Sequence, residues 1–420
     1  MIYIPFTYFL ILLIVNCYRT KTFNLGSFLL LLYAFSSLLS VFLYNVEFLQ
    51  YKNTEIKLSS CIFYCVTLTI FFLPFLSNSQ SRGYRILLPD ITSFKLIAVF
   101  FIVINCLAIL FLLKAIVFVL GQDPRSLREA GLTRIYNLNI FETIGMWILG
   151  HFSDFYVLLL VFFFYSRTYL KNSAVFNILI LIASMSTIVN GLMSGGRTQT
   201  IYWILVFISC FLYFKGDMPK RVRKRVVAFS VALFSLLTVY LVSVTVLRFS
   251  GSFSGATDYD EAFSLLDYSG QIFLNFNNFF SNFEHKGYTL ARIFPFMYDW
   301  FHAVNFDLAV YKRSIPMDIG VFSTFLGDWF IDIGITGIVI YTVFYSTAAF
   351  FVNRNYVPNA RKFQQILLFF LIFQLPLNGL FYYSLYNKTA MISVIGTIII
   401  AVLFRFSEKE VIEVVHKQAA

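Results

Sequence analysis

The chain is predicted to be an all-α polytopic membrane protein, and three observations carry that reading. Hydrophobic residues make up 59% of its 420 positions and charged residues only 13%, with a mean hydropathy of +0.78; a soluble globular domain is nearer a quarter charged. Apolar runs of about twenty residues recur from end to end, the length a helix needs to cross ~30 Å of hydrocarbon. Strand-like alternation is absent, which argues against a β-barrel.

Eleven spans follow, at roughly 2–18, 24–44, 58–76, 96–120, 144–166, 174–193, 198–214, 226–247, 332–352, 364–384 and 389–406. Together they make 1–420 a single transmembrane domain, with one large external loop at 248–320. The first run has no basic leader and no small-residue cleavage site, so no cleavable signal peptide is expected. All five cysteines (Cys17, Cys61, Cys65, Cys106, Cys210) fall inside apolar runs. They read as buried thiols rather than as a disulfide framework or a zinc site.

The charges between spans alternate. One set of connections is basic: Arg19 and Lys21; Arg82, Arg85 and Lys95 against Asp90; Arg167 and Lys171; "KGDMPKRVRKR" (215–225); and Arg354, Arg361 and Lys362. The other set holds 45–57 and 121–143, each with no net charge. It also holds 248–320, where five basic residues face eight acidic ones. Surplus Lys and Arg mark the cytoplasmic side, which places the N-terminus outside and the C-terminus inside. The net charge of +11 is then an orientation signal, not a nucleic-acid footprint.

Several spans end on the outer side with polar tips. "SGGR" makes a tight hairpin, with Gly195 and Gly196 turning the chain and Arg197 after them. Arg248 opens the long loop. Counting back twenty residues at 1.5 Å each from Phe351 puts the outer end of the ninth span near Asp332. In "STFLGDWFIDIGITG" (323–337), Asp328 and Asp332 fall one turn apart on one face. Each feature has a plainer reading: arginines at helix ends snorkel, and aspartates cap helix N-termini.

The 73-residue segment 248–320 is dense in aromatics and amides. It suits short interfacial helices, with rings forming a membrane belt or, among Asn, Gln, Asp and His, a carbohydrate groove. Its candidate reactive groups are Glu284, His285, Arg292, Asp299 and His302. Inside the fifth span, His151 and Asp154 lie three apart, either as a functional pair or as a helix–helix hydrogen bond.

Arginines at an outer mouth, beside a carboxylate and a sugar-like groove, fit a lipid-linked phosphate. Guanidinium binds phosphate oxygens bidentately and stays charged at any working pH. Two or three of them could stabilise a departing diphosphate. No DxD, HExxH or external Cys/His cluster is present, so metal-independent chemistry is expected. The attacking hydroxyl needs a base, and Asp332, Glu284, His285, Asp299 and His302 compete for that role.

"VFSTFLGDWFIDIGITGIVIY" (321–341), after a long external loop and an earlier "SGGRT" hairpin, resembles the oligosaccharide repeat unit polymerases of the O-antigen polymerase (Wzy) family; "YSGQIFLNFNNF" (268–279) is similar to their loops. The resemblance covers roughly residues 190–345, through loose motifs. It implies a GT-C type glycosyltransferase fold in the bacterial inner membrane. A chain on a polyprenyl diphosphate would pass to an incoming lipid-linked repeat unit at the periplasmic face, in O-antigen or capsular polysaccharide synthesis. Neither metal nor cofactor is implied; the bilayer and a chain-length regulator are the implied partners. Onto this sequence it carries Arg197, Arg248 and Arg292 as diphosphate ligands, with Asp332, Gly334 and Gly337 from "DIGITG". The related O-antigen ligases place a histidine before the matching helix; "MDIGVFSTFLGDWF" (317–330) has none. A flippase for the same lipid-linked sugars fits less well, because the spans are odd in number with no internal repeat. A membrane O-acyltransferase would have only His151 and Asp154 to work with.

Overall fold

A computed structural model describes residues 1–46, 51, 54–76, 85–122, 127, 132–170, 172–249, 261–283, 290, 293–294, 322–354, 360–405 and 410–413. In chain order the elements are α1 (Tyr3–Thr20), α2 (Leu25–Asn45), α3 (Leu58–Leu76), β1 (Arg85–Leu88), α4 (Ile91–Phe111), α5 (Leu113–Leu120), α6 (Ile140–Phe152) and α7 (Tyr156–Tyr169). There follow α8 (Ala174–Ser184), α9 (Ser186–Met193), α10 (Thr198–Phe214), α11 (Lys220–Phe249), α12 (Glu261–Asn282), α13 (Thr324–Asn353), β2 (Ala360–Lys362), α14 (Phe363–Asn378), α15 (Lys388–Arg405) and β3 (Glu410–Glu413). A four-residue helical turn at Leu132–Ile135 lies between α5 and α6.

Among the described residues, nine helical stretches are long and apolar enough to cross a membrane. The chain is an all-α polytopic membrane protein. Two shorter apolar helices, α10 and α14, occupy the other two expected spans. Several spans are interrupted: α4 gives way to α5 at Leu112, α8 to α9 at Met185, and a 3-10 turn at Ser153–Phe155 separates α6 from α7. The ninth expected span, counted back from Phe351 to Asp332, ends beside a break in the helix. Its helix α13 begins at Thr324 and is broken at Gly334, whose φ of 62° and ψ of −174° only glycine adopts readily.

The chain divides into two compact units. Residues 1–79, 262–354 and 372–391 form the first, and 80–261, 355–371 and 392–420 the second. In the first, α13 packs along α3, and it resolves a problem created by two prolines. Pro74 in α3 and Pro376 in α14 each lack the N–H that would bond the carbonyl four residues earlier. Those carbonyls belong to Ile70 and Ile372. Ser346 Oγ donates to the first at 2.9 Å and Tyr345 Oη to the second at 2.7 Å, from adjacent positions on α13. The prolines' own carbonyls are taken by Asn353 Nδ2 (2.6 Å) and Tyr33 Oη (2.9 Å). In hydrocarbon no water would serve them.

In the second unit α7 is buried along its length from Tyr156 to Ser166. A three-stranded sheet, order β2–β1–β3, caps one end. β1 runs parallel to β2 (Arg85↔Ala360) and antiparallel to β3 (Arg85↔Glu413). The same end holds two further ties, from Tyr169 Oη to Asp217 and from Arg361 Nη1 to Tyr213 Oη at 2.7 Å. Cations crowd there: partial burial, and then Arg223, lower the pKa of Lys215 from its ordinary value.

Within each unit the basic connections are grouped at one end. At the sheet end of the second unit, residues 85–88, 169, 213–217, 360–362 and 410–413 meet. In the first unit, Arg19 Nη2 reaches Leu76 O at 2.9 Å, beside the Asn353–Pro74 bond. All but the tail strand belong to the basic set. At the other end of that unit, the connection 45–57, which carries no net charge, is tied to α12 through residues 51, 55 and 57.

Replacing Tyr345 by Phe keeps the ring beside Phe71 but strands the Ile372 carbonyl. The expected loss is about 1–3 kcal/mol of stability, read as a lower melting temperature in detergent; an unchanged melt would show that the carbonyl needs no partner.

Candidate functional site

The first cluster lies in the first unit, where α13 breaks. Asp328 and Asp332, one turn apart before Gly334, are 2% and 0% exposed. At the helix N-terminus Ser323 is the capping residue and makes no side-chain cap bond. Asp332 Oδ2 accepts the Ile293 N–H at 3.1 Å, and Asp328 Oδ2 accepts the Tyr383 N–H at 2.6 Å. Tyr383 Oη then donates to the Ile293 carbonyl at 3.3 Å. Both backbone groups of Ile293 are thereby held, and its side chain is fully buried. The clasp joins residues far apart in sequence through charge-assisted bonds, stronger than neutral ones.

Trp329, also fully buried, stands between the carboxylates in sequence. Its ring packs against Tyr341 at 4.5 Å, Phe325 at 4.9 Å and Tyr383 at 5.7 Å, and its Nε1–H has no hydrogen-bond partner among the described residues. Gly337, one turn past the break, lies where a Cβ would come within 2.6 Å of Ile333 Cβ.

The second cluster, in the second unit, is the hairpin at 191–200. Gly195, at φ 62°, ends α9 in the left-handed conformation. Gly196 N bonds Gly191 O at 2.8 Å and Gly195 N bonds Leu192 O at 3.0 Å. This paired closure is the Schellman motif. Gln199 packs over Gly191 and Gly196. Asn190 Nδ2 holds the hairpin to Ser153 Oγ (3.1 Å) in the 3-10 turn, and Trp203 Nε1 ties α10 to Ser184 Oγ (3.0 Å).

Arg197 follows as the capping residue of α10, with no side-chain cap bond, and is only 7% exposed. A snorkelling arginine extends into water; this one is enclosed, within electrostatic range of Tyr240 on α11. Guanidinium and the positive end of a helix dipole both favour a negative partner. The 17 residues of α10 place this point about 25 Å from the sheet end.

The other expected residues are placed less fully. Arg248 lies in the last turn of α11, which runs on to Phe249, and its side chain is outside the described residues. Glu284, His285, Arg292, Asp299 and His302 also lie outside them. His151 Nδ1 sits 2.8 Å from Trp147 O of its own helix, with its ring 4.5 Å from the indole. The one long element described in the segment is a 22-residue helix, α12, and its rings Phe273, Phe276 and Phe279 are at most 1% exposed. Its amides bond protein: Asn277 meets Lys57 N and Glu55 O, and Asn275 meets Phe322 O. These groups build core rather than a sugar platform. Tyr383 and Ile293 went unnoticed in the sequence, because a lone tyrosine and a backbone amide carry no motif.

No family model, curated protein or solved structure matches the chain.

If Asp332 holds Ile293 by accepting its N–H, Asp332→Asn retains an acceptor and keeps most function, whereas Asp332→Ala loses about 1–3 kcal/mol of stability. A general base gives the opposite pattern, with Asp332→Asn alone costing roughly 10²–10⁴-fold in rate. Activity and melting temperature of both variants separate the two roles.

Proposed function

We propose that the chain is a polymerase of polyprenyl-diphosphate-linked oligosaccharide repeat units, a glycosyltransferase of GT-C type acting at the periplasmic face of a bacterial inner membrane. The observation that carries this reading is Arg197: an enclosed guanidinium, fixed by a Schellman hairpin at a helix N-terminus, far from the basic sheet end. That is a site for a phosphate group on the less basic side. The connections grouped at the sheet end are then cytoplasmic by their charge, and the C-terminal strand with them.

In this reading Arg197, with Arg248 and Arg292, takes the charge that builds on the departing diphosphate. Asp332 serves as the anchor of Ile293, and the base is sought among Glu284, His285, Asp299 and His302. The runner-up is a flippase for the same lipid. Buried carboxylates at a broken membrane helix favour it, since transporters build ion sites from interrupted helices.

Deleting the gene and resolving surface polysaccharide on a gel tests the assignment. Loss of polymerisation leaves a single repeat unit on the core where the parent strain shows a ladder. Loss of every repeat unit would mean a flippase, and polymer stranded on its carrier a ligase. Complementation with Arg197→Lys is expected to restore a weak, shortened ladder and with Arg197→Ala none, since lysine keeps the charge but not the bidentate fork. A full ladder from Arg197→Ala would remove the phosphate-binding role.

A further inference from the structure

The first turn of α10 is built differently from other helix starts in the chain. Asn24, Asp90, Asn139 and Ser173 each accept a backbone N–H at the start of α2, α4, α6 and α8, so an oxygen meets the positive end of the dipole. At α10 that place is held by Arg197, whose side chain has donors only. The first backbone bond within α10 runs from Ile201 N to Arg197 O at 3.2 Å. The N–H groups of Thr198, Gln199 and Thr200 precede it and have no carbonyl within the helix to meet.

Thr200 adds a hydroxyl to this set. Its side chain is fully buried, and Oγ1 has no hydrogen-bond partner among the described residues. Helical hydroxyls elsewhere in the chain bond back to the carbonyl four residues earlier: Thr168 Oγ1 to Phe164 O at 2.7 Å, Ser209 Oγ to Leu205 O at 2.8 Å, and Thr342 Oγ1 to Ile338 O at 2.6 Å. For Thr200 that carbonyl belongs to Gly196, which lies outside the helix. Thr200 follows Arg197 by three residues, so the two share a face, and side chains on a helix lean toward its N-terminus. The hydroxyl therefore faces the same turn as the guanidinium and the N–H groups. A buried hydroxyl without a partner is costly, and its neighbours in the turn, a guanidinium and N–H groups, are donors like itself.

We propose that Thr200 Oγ1 donates to the anion that Arg197 holds, and that the guanidinium, the hydroxyl and the N–H groups of this turn together bind the phosphate end of a diphosphate. This rests on the reading of Arg197 as a phosphate ligand and adds the donors that complete the site. Helix N-termini bind phosphate through their N–H groups, and a phosphate offers three acceptor oxygens to such a set. A bound phosphate supplies the acceptor that the hydroxyl does not find in its own helix.

Isothermal titration of the full-length protein in detergent tests it, with farnesyl diphosphate and separately with inorganic diphosphate, alongside the melting temperature without ligand. Thr200→Val removes the hydroxyl and keeps the shape. It is expected to leave the ligand-free melting temperature unchanged or higher, since no internal bond is lost, and to weaken diphosphate binding roughly tenfold. Thr200→Ser, which keeps a hydroxyl, is expected to bind nearly as the wild type does. A structural hydroxyl gives the reverse, a lower melting temperature with binding unchanged, and that result would overturn the proposal. If Arg197→Ala abolishes binding while Thr200→Val leaves it intact, the role of Thr200 falls and the phosphate reading of Arg197 stands. If the wild-type protein binds neither diphosphate, both fall. The expected binding pattern in a protein that makes no polymer would keep the site and remove only the polymerase reading. Equal affinity for the two diphosphates identifies the free ion as the ligand and tighter binding of the farnesyl form a lipid-borne one; Thr200→Val weakens either.

Discussion

Everything in the first unit turns on one constraint: backbone polar groups inside a bilayer must find partners within the protein. Helix α13 meets it at three places. Tyr345 and Ser346 supply the donors that Pro376 and Pro74 take away from their own helices. Ahead of the Gly334 break, Asp328 and Asp332 accept N–H groups from residues 383 and 293, which lie outside the helices. A straight, wholly apolar helix could do none of this. The break and the polar side chains of α13 are what allow bent helices and an irregular segment to pack as one core.

The second unit answers the same constraint by different means. Its spans are interrupted at Leu112, Ser153–Phe155 and Met185. Around the first of these, Leu112, Val119, Leu127, Leu132, Leu149 and Met193 form one buried cluster. The hairpin that follows Met193 leaves this cluster, closes its own carbonyls, and presents Arg197 at the start of α10. Guanidinium and the positive end of the helix dipole both favour a negative group at that point. In the proposed reading that preference makes the hairpin a functional feature rather than merely a turn.

The spans were legible because twenty apolar residues announce a membrane helix whatever their neighbours. "SGGR" was legible too, since a glycine pair after an apolar run is the mark of a helix C-terminus. The interruptions at Leu112 and Met185 were not: neither position holds Gly or Pro, so surrounding packing determines them. Counting back twenty residues from Phe351 ended beside the Gly334 break, but gave no sign of the helical segment that runs ahead of it from Thr324. Strands of three and four residues leave no periodic signal, and β1 and β2 pair across most of the chain. Asn275 and Asn277 of α12 read as candidate sugar ligands because sequence shows a polar group and not its partner; here they bond the backbone at residues 55, 57 and 322. Asp332 accepts from an amide 39 residues away, which is beyond any local pattern.

The central claim is that this chain joins lipid-linked oligosaccharides to one another. The most direct measurement supplies the purified protein, in liposomes, with a single repeat unit on polyprenyl diphosphate and follows the products by mass spectrometry. Products spaced by whole repeat units, with release of free polyprenyl diphosphate, are the predicted result. Unchanged substrate that has merely crossed the bilayer would contradict the account and make the protein a transporter.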